Sequence, residues 1–316
     1  MRKRFLVTGG AGFIGSHLVE ALVGAEHDVV VLDDLSTGHR RNLDGVKGRI
    51  TLVEGDIRDL STVQGVMDGT EVILHQAALP SVPRSIRDPA ATNDVNVMGT
   101  LNVLVAARDA GVRRVVYASS SSVYGDAPIL PKHEHMRPEP LSPYAVSKLA
   151  AELYCAAFFR VYGLETVALR YFNVFGPRQD PHSQYSAVIP RFIAAYMNGD
   201  VPTVNGDGEQ TRGFTYVENV VSANLLAAKS EAVSGGAVFN VSVDERMSVN
   251  ELDERLRKLI GVDGGVTPRH GPERPGDVRH SFADIGRARE ALGYEVVVST
   301  EEGLRQTVEW YRQRSS

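Results

Sequence analysis

Thr8-Gly9-Gly10-Ala11-Gly12-Phe13-Ile14-Gly15 is the stretch that decides the fold, because it joins the apolar run Phe5-Leu6-Val7 to a helical pattern over about 13–24. Glycines let the backbone turn sharply and let a phosphate approach the amino end of a helix, where free N–H groups and the helix dipole favour anions. Glycines also end strands for purely structural reasons, and the spacing here is GxxGxxG rather than the commoner GxGxxG. The stretch therefore predicts a strand, a tight turn and a helix, with phosphate binding as the functional candidate.

The first half of the chain alternates short β-branched runs with helical patterns. The runs after the first lie at 29–32, 50–53, 72–74, 115–118 and 166–169, and each is nearly all apolar. Such strands are covered on both faces, and right-handed crossovers stack them in one parallel sheet. The sequence therefore predicts an α/β protein with a doubly wound parallel sheet.

A second, smaller region of irregular α/β structure is predicted after residues 175–178, where the alternation gives way to loops. We expect a cofactor-binding domain over 1–172, with a return segment at about 214–242. Residues 173–213 and 243–316 then form the substrate-binding region. Because no flexible linker separates the two regions, we expect them to share a cleft.

Composition excludes several classes of function. The chain has 316 residues, and 34 Lys and Arg against 39 Asp and Glu give a net charge of −5, without the basic surplus of nucleic-acid binders. No run approaches the ~20 apolar residues that cross a bilayer. The single cysteine, Cys155, excludes an internal disulfide and a cysteine-based metal cluster. We therefore expect a cytoplasmic protein with a buried, reduced thiol, no metal, and neither a nucleic-acid nor a membrane partner.

An acidic residue at the end of the second predicted strand indicates the kind of dinucleotide. Asp33 lies 18 residues beyond Gly15, where a carboxylate accepts hydrogen bonds from ribose hydroxyls and repels a 2′-phosphate. NAD is therefore favoured over NADP. His39, Arg40 and Arg41 could instead hold a 2′-phosphate, which keeps NADP as the alternative.

A phenol and an ammonium are spaced for chemistry on one helix. Tyr144 and Lys148 lie at i and i+4, on one face of a helix predicted over 142–162. The run Ser119-Ser120-Ser121-Ser122 closes the preceding strand, at the carboxyl edge where α/β sheets hold ligands. A free phenol has a pKa near 10, and a neighbouring lysine and a positive nicotinamide would both lower that pKa. Tyr144 is therefore the predicted acid/base.

These motifs together resemble the extended short-chain dehydrogenase/reductase family, and the match runs through nearly the whole chain. Within that family, the segments 119–125, 141–144 and 170–176 resemble the UDP-sugar 4-epimerases, especially those that act on N-acetylated hexosamines. The resemblance implies a Rossmann-like fold and an NAD-dependent isomerase of nucleotide-sugar metabolism. It implies interconversion of UDP-GlcNAc with UDP-GalNAc, and of UDP-Glc with UDP-Gal, through a transient 4-keto sugar.

The resemblance also assigns roles to single residues. Ser120, Tyr144 and Lys148 are the implied catalytic residues: Ser120 hydrogen-bonds the reacting oxygen, and Lys148 also holds the nicotinamide ribose. The implied cofactor contacts are Gly9, Gly12, Phe13, Ile14, Gly15, Asp33, Ser36, Thr37, Gly38, Asp56, Ile57, Gln76, Ala77, Ala78, Asn96, Tyr144, Lys148 and Tyr171. His75, which precedes three of these, is expected to be a structural histidine and not a catalyst.

The implied substrate contacts lie mostly in the second half of the chain. They are Ser122 beside the hexose, Asn173, Arg212 and Arg274 at the diphosphate, Asp277 at the uridine ribose, and Val188, Thr203 and Asn205 at the uracil end. Ser281 aligns with a site where some relatives have a bulky tyrosine, so it leaves room for a 2-acetamido group.

Three alternatives remain open. Nucleotide-sugar dehydratases and decarboxylases carry acidic residues where this chain has Ser121 and Ser122, and a serine cannot do their acid/base work. A UDP-glucuronate 4-epimerase would need a cation for its carboxylate, which Arg84 or Arg87 could offer. A non-enzymatic NAD-binding regulator would not need the serine, tyrosine and lysine together.

Two predicted helices, over 92–110 and 142–162, resemble the pair through which relatives form four-helix homodimers. Their candidate contact residues are Met98, Leu101, Val105, Leu153, Tyr154 and Phe158. A core position would explain most of these residues equally well. We expect a homodimer.

Overall fold

A parallel β-sheet of seven strands forms the centre of the computed structural model, which describes residues 2–181, 187–233, 235–262, 266–273 and 278–315. The strands are β1 (Arg4–Thr8), β2 (Asp28–Asp33), β3 (Thr51–Glu54), β4 (Val72–His75), β5 (Arg114–Ser120), β6 (Glu165–Tyr171), β7 (Val174–Phe175), β8 (Thr203–Asn205), β9 (Thr211–Arg212), β10 (Thr215–Tyr216), β11 (Ala237–Val241), β12 (Met247–Ser248), β13 (Arg269–Gly271) and β14 (His280–Ser281). The helices are α1 (Phe13–Gly24), α2 (Leu60–Gly65), α3 (Val82–Arg87), α4 (Pro89–Asn93), α5 (Thr100–Asp109), α6 (Pro143–Tyr162), α7 (Val188–Met197), α8 (Val217–Lys229), α9 (Val249–Ile260), α10 (Gly286–Leu292) and α11 (Thr300–Ser315). Two 3₁₀ turns (Arg40–Val46 and Ser121–Tyr124) and one π-helical segment (Asp94–Gly99) complete the elements.

The order of the strands confirms the predicted fold class. In the large sheet the order is β11-β6-β5-β4-β1-β2-β3, and every neighbouring pair is parallel. The chain direction across the sheet reverses between β1 and β4, so their carboxyl ends diverge and leave a crevice there. This is the Rossmann-like, doubly wound arrangement that the apolar runs predict.

Helices cover the sheet on both faces because its strands are apolar on both faces. On one face, α1 and α8 pack over β1, β2 and β6, with Leu18, Leu22 and Val220 fully buried. On the other face, α5 and α6 pack over β4 and β5, and Cys155 is a buried free thiol in that layer. Both layers hold the strand ends rigidly, which fixes the side chains that face the crevice.

The helix expected over 92–110 is interrupted. It is observed as α4, the π-helical segment Asp94–Gly99 and α5, and it begins at Pro89, which follows the N-cap Asp88. The helix expected over 142–162 is α6; the Ser142 hydroxyl accepts the N–H of Ala145, and Pro143 occupies the first turn.

A separate core lies in the second half of the chain. Buried aromatic and aliphatic side chains from α7, α9 and α11, among them Phe192, Leu252 and Leu304, form a cluster apart from the two layers of the large sheet. Between these helices the chain returns to the sheet through α8 and β11, and β11 pairs with β6. The domain boundaries at 172 and at 214–242 stay a prediction. Among the described residues no helix is long and apolar enough to cross a membrane.

Candidate active site

A cavity of about 830 Å³ opens at the carboxyl edge of the sheet, in the crevice beside β1 and β4. A second cavity of about 200 Å³ lies under α7 and β8. Asn173, Val174, Ala187 and Arg212 line both cavities. One cleft therefore runs from the glycine-rich turn to the second half of the chain.

The glycine-rich turn forms one end of the larger cavity. Gly9 has φ +68°, and a Cβ built there would lie 2.7 Å from the backbone nitrogen of Ala77. A Cβ at Gly15 would lie 2.1 Å from the Gly9 carbonyl oxygen. The N-cap of α1 is Gly12, which has no side chain to occupy the first N–H groups of the helix. The turn thus leaves backbone donors open toward the cavity, as the binding of a diphosphate requires.

Asp33 ends β2 in the wall of this cavity. Its Oδ2 accepts the N–H of Ala11 and its Oδ1 accepts the N–H of Leu35, each at 2.8 Å. Burial raises the pKa of Asp33, while these two backbone hydrogen bonds oppose the rise. A carboxylate oxygen can accept more than one hydrogen bond, so both oxygens remain able to accept from a ribose diol. The open turn, the aspartate and the size of the cavity fit NAD.

The helix α6 places a phenol and an ammonium on the same cavity wall. Tyr144 and Lys148 face β5, where the Lys148 Nζ donates to the Ala118 carbonyl at 2.9 Å. The same Nζ lies 5.2 Å from the centre of the Tyr117 ring, a cation–π distance. Lys148 is therefore held by the backbone and by an aromatic face at the end of β5.

The electrostatics of the pair differ from the sequence expectation. Burial raises the pKa of Tyr144, and a hydrogen bond with the Ser120 side chain opposes that rise. The Lys148 Nζ lies 6.0 Å from the centre of the Tyr144 ring and donates to the Ala118 carbonyl, whereas the group that opposes the rise is Ser120. Burial also lowers the pKa of Lys148 to about 8. In this structure, then, Ser120 is the group that favours the phenolate.

The serine run is held by its own hydroxyls and by a buried ion pair. Ser120 Oγ accepts the N–H and the hydroxyl of Ser122, at 3.2 and 2.9 Å, so its own hydrogen is left for the phenol. Ser119 donates to Glu152 at 2.8 Å, and Glu152 pairs with Arg170, with side chains 6% and 4% exposed. Because Glu152 lies one turn beyond Lys148 on α6, the ion pair and the Ser119 hydrogen bond tie α6 to the strands β6 and β5 beneath the serines.

The structure brings most predicted site residues together. The larger cavity is lined by Gly9, Gly12, Phe13, Ile14, Gly15, Asp33, Ser36, Thr37, Asp56, Ile57, Gln76, Ala77, Ala78, Ser120, Ser122, Tyr144, Lys148, Tyr171, Asn173, Arg212 and Ser281. The smaller one is lined by Asn173, Val188, Thr203, Asn205 and Arg212. Arg274 and Asp277 lie outside the described residues. The role of each remains a prediction.

Two predicted cofactor contacts do not line the cavity. Gly38 packs behind the wall, where a Cβ would lie 3.0 Å from Asp33 Oδ1. Asn96 is buried, and its side chain bonds to the backbone of Leu79: Oδ1 accepts the N–H at 2.8 Å and Nδ2 donates to the carbonyl at 3.3 Å. Both residues support the wall from behind.

The sequence analysis missed two cations of the wall, Lys132 and Arg178. Arg178 has φ +69° and pairs with Glu20, which joins the wall to α1. Lys132 is bridged to the segment that carries Ser281, since its N–H donates to the Phe282 carbonyl at 2.8 Å. Neither lies in a motif, because long-range packing alone brings them to the cleft.

Known proteins share this fold, and several of them match nearly the whole length of the chain. The sequence profile of the NAD dependent epimerase/dehydratase family matches residues 5–242. A UDP-glucose 4-epimerase of Mycolicibacterium smegmatis is 41% identical over 317 residues, with 99% of each protein covered. The solved UDP-N-acetylglucosamine 4-epimerase from Methanobrevibacter ruminantium, in complex with UDP-N-acetylmuramic acid, has a TM-score of 0.94 and 40% identity over 99% of both chains. UDP-glucose 4-epimerase from Thermus thermophilus, in complex with NAD, has a TM-score of 0.88 and 37% identity over 98% of this chain and 99% of its own.

We expect the change Ser120→Ala to move the pH dependence of turnover. Loss of the hydrogen bond from Ser120 raises the pKa of Tyr144 further, so less phenolate is present at neutral pH. The rising limb of kcat/KM against pH should therefore shift to higher pH in assays of the predicted UDP-sugar reaction. Ser121→Ala is the matched control, because Ser121 lines the same cavity but does not affect the pKa of Tyr144. An unchanged limb in Ser120→Ala would contradict this role.

Proposed function

The chain belongs to the NAD dependent epimerase/dehydratase family, and on that premise we propose that it is a cytoplasmic, homodimeric UDP-hexose 4-epimerase, an NAD-dependent isomerase. It interconverts UDP-GlcNAc with UDP-GalNAc, and UDP-Glc with UDP-Gal. One observation carries the proposal: Ser120, Tyr144 and Lys148 share a cavity with the glycine-rich turn, and that cavity continues into a second one.

The reaction needs a base for the 4-hydroxyl of the hexose. Bound NAD would supply the oxidising equivalent, as a reversible acceptor of the hydride of C4. The Tyr144 phenolate accepts the proton of the 4-hydroxyl and gives it back when the carbonyl is reduced. Ser120 donates its one hydrogen to the Tyr144 phenol and so orients this base toward the 4-hydroxyl, and the Lys148 ammonium holds a ribose hydroxyl.

Inversion needs a firmly held nucleotide and a loosely held sugar. The smaller cavity, lined by Val188, Thr203 and Asn205, takes the uracil end. Arg212 and Asn173 stand where the two cavities meet, and the guanidinium is suited to the diphosphate. With the nucleotide held there, the 4-keto hexose can turn and present its other face before reduction.

The serine turn favours epimerisation over related reactions. Ser121 and Ser122 line the hexose end of the cavity, where dehydration or decarboxylation would need acidic side chains. A UDP-glucuronate 4-epimerase is the second candidate, because Arg84 lines the larger cavity and could meet a carboxylate. Arg87, the other cation considered for that role, does not line it.

An exposed apolar face supports the homodimer. On and beside α5 and α6, Met98 is 45% exposed, Leu153 61% and Tyr154 39%. Phe158, by contrast, is 6% exposed and belongs to the core, the alternative that the sequence left open for most of these residues. Leu101 and Val105 pack partly against that core. Burial of the remaining face against a second copy would remove it from water.

Turnover of separate UDP-sugars tests the proposal. Incubation with UDP-Glc, UDP-GlcNAc and UDP-GlcA, each followed by proton NMR, should show inversion at C4 for the first two. We expect Tyr144→Phe to lose at least about 100-fold in rate, since it removes the acid/base group. Inversion of UDP-GlcA alone would support the second candidate, and retained NAD without any turnover would support the regulator.

A larger residue at position 281 should change the choice of sugar. Ser281 lies on β14 in the cavity wall, so Ser281→Tyr fills space that a 2-acetamido group would use. We expect kcat/KM for UDP-GlcNAc to fall at least about tenfold, with UDP-Glc largely retained. Ser281→Ala is the control and should keep both activities. Equal loss of both activities in Ser281→Tyr would place the acetamido group elsewhere.

A charge in the apolar face should separate the dimer. Leu153→Glu places a carboxylate that cannot be solvated inside a helix–helix interface. We expect light scattering to give a dimer for the wild type and a monomer for Leu153→Glu. Val297→Glu is the control, because Val297 is 58% exposed but lies between α10 and α11. A wild-type monomer at micromolar concentration would refute the dimer.

A further inference from the structure

His75 does not line the cavity, but hydrogen bonds connect it to both ends of a segment that does. His75, the last residue of β4, is 1% exposed. Its Nδ1 lies 2.6 Å from the Thr8 hydroxyl and its Nε2 lies 2.9 Å from the Thr100 hydroxyl. The segment that begins two residues later, 77–79, forms part of the cavity wall.

The hydrogen bonds around His75 have one consistent direction. The Thr100 hydroxyl donates to the Asn96 carbonyl at 2.6 Å, so its oxygen can only accept from His75. Burial, with a smaller contribution from the Lys148 cation, lowers the pKa of His75 to about 3, so the ring is neutral. In a neutral ring with Nε2–H, Nδ1 is the acceptor, and it accepts a hydrogen bond from the Thr8 hydroxyl. Thr8 Oγ1 in turn accepts the N–H of Ala77 at 3.3 Å.

The two ends of this series of hydrogen bonds hold the cavity-lining segment 77–79, called the cofactor wall below. At one end Ala77 packs so closely on the glycine-rich turn that only a glycine fits at position 9. At the other end Asn96 bonds to both backbone groups of Leu79 and donates to the Ser147 hydroxyl at 3.0 Å. Ser147 donates to the carbonyl of Tyr144 at 2.7 Å. The series of hydrogen bonds therefore extends from the glycine-rich turn to the backbone of Tyr144.

We infer that His75 is a positioning residue, which in its Nε2–H tautomer sets the wall segment 77–79 and, through Asn96 and Ser147, the first turn of α6. This inference rests on the proposed function for its effect on turnover, but not for the tautomer. A histidine that only filled space would need no fixed tautomer, whereas here each of these hydrogen bonds has one direction.

The tautomer can be measured in the wild-type protein without any substitution. Long-range proton–nitrogen NMR spectra of His75, assigned through its backbone, should show a neutral ring with the hydrogen on Nε2 only. A ring with its hydrogen on Nδ1, or a protonated ring at neutral pH, would overturn the inference. This readout does not depend on epimerase activity.

Thr100→Val interrupts this series of hydrogen bonds and changes the shape of the side chain little. Without the hydroxyl, Nε2–H has no acceptor, and the Nδ1–H form, which can donate to Thr8, should become populated. We expect kcat to fall at least about tenfold through misplacement of the reacting groups, with KM for the UDP-sugar nearly unchanged because its nucleotide is held in the other cavity. Weaker retention of NAD should accompany the change.

Thr307→Val is a closely matched control. Thr307 is also 1% exposed and donates to the carbonyl four residues earlier, Gly303, at 2.6 Å, but it lies on α11. It should lose comparable stability and keep the wild-type kcat. Equal kcat values for the two variants, or an unchanged tautomer in Thr100→Val, would refute the positioning role. If the wild type inverts no UDP-sugar, the proposed function fails, and the NMR result still decides the tautomer.

Discussion

The close approach of two backbones at the sheet's switch point is the constraint on which the rest of the site depends. β1 and β4 are neighbours, and their chains leave the sheet in different directions at Thr8 and His75. Gly9 turns through φ +68° directly against the backbone of Ala77. A side chain at position 9 would force these two segments apart. Both segments line the cavity, so this part of its wall depends on a contact that only glycine permits.

Burial has opposite effects on the two titrating groups that face this space. It raises the pKa of Tyr144 and lowers that of Lys148 to about 8, since a dry wall disfavours the charged form of each. The hydrogen bond with Ser120 limits the rise for the phenol, and the ammonium donates to the Ala118 carbonyl. A phenol that stays neutral avoids an unpaired charge in this dry wall. Ser120 is the neighbour that favours its ionised form.

Buried polar groups connect α6 with the large sheet. Glu152 joins α6 to β6 through Arg170 and to β5 through Ser119, and Ser147 joins α6 to the π-helical segment through Asn96. Breaking a buried pair by removing one partner typically costs about 3–5 kcal/mol, which makes such contacts sensitive points of a fold. Here they surround Tyr144, so the same contacts that stabilise the helix also limit its movement relative to the cofactor wall.

The sequence alone determined the strand segments of the sheet, the glycine-rich turn and the Tyr144–Lys148 pair, because each depends on spacing within one short segment. Apolar strands, a capped helix and an i, i+4 pair form locally and can be predicted locally. The sequence did not determine the interruption of the helix predicted over 92–110, the burial of Phe158 or the positions of Lys132 and Arg178 in the cavity wall. Those depend on partners far along the chain. The sign of the shift in the pKa of Tyr144 was likewise decided by tertiary structure, since it follows from how much water the packed elements exclude and from where Lys148 finds its acceptor.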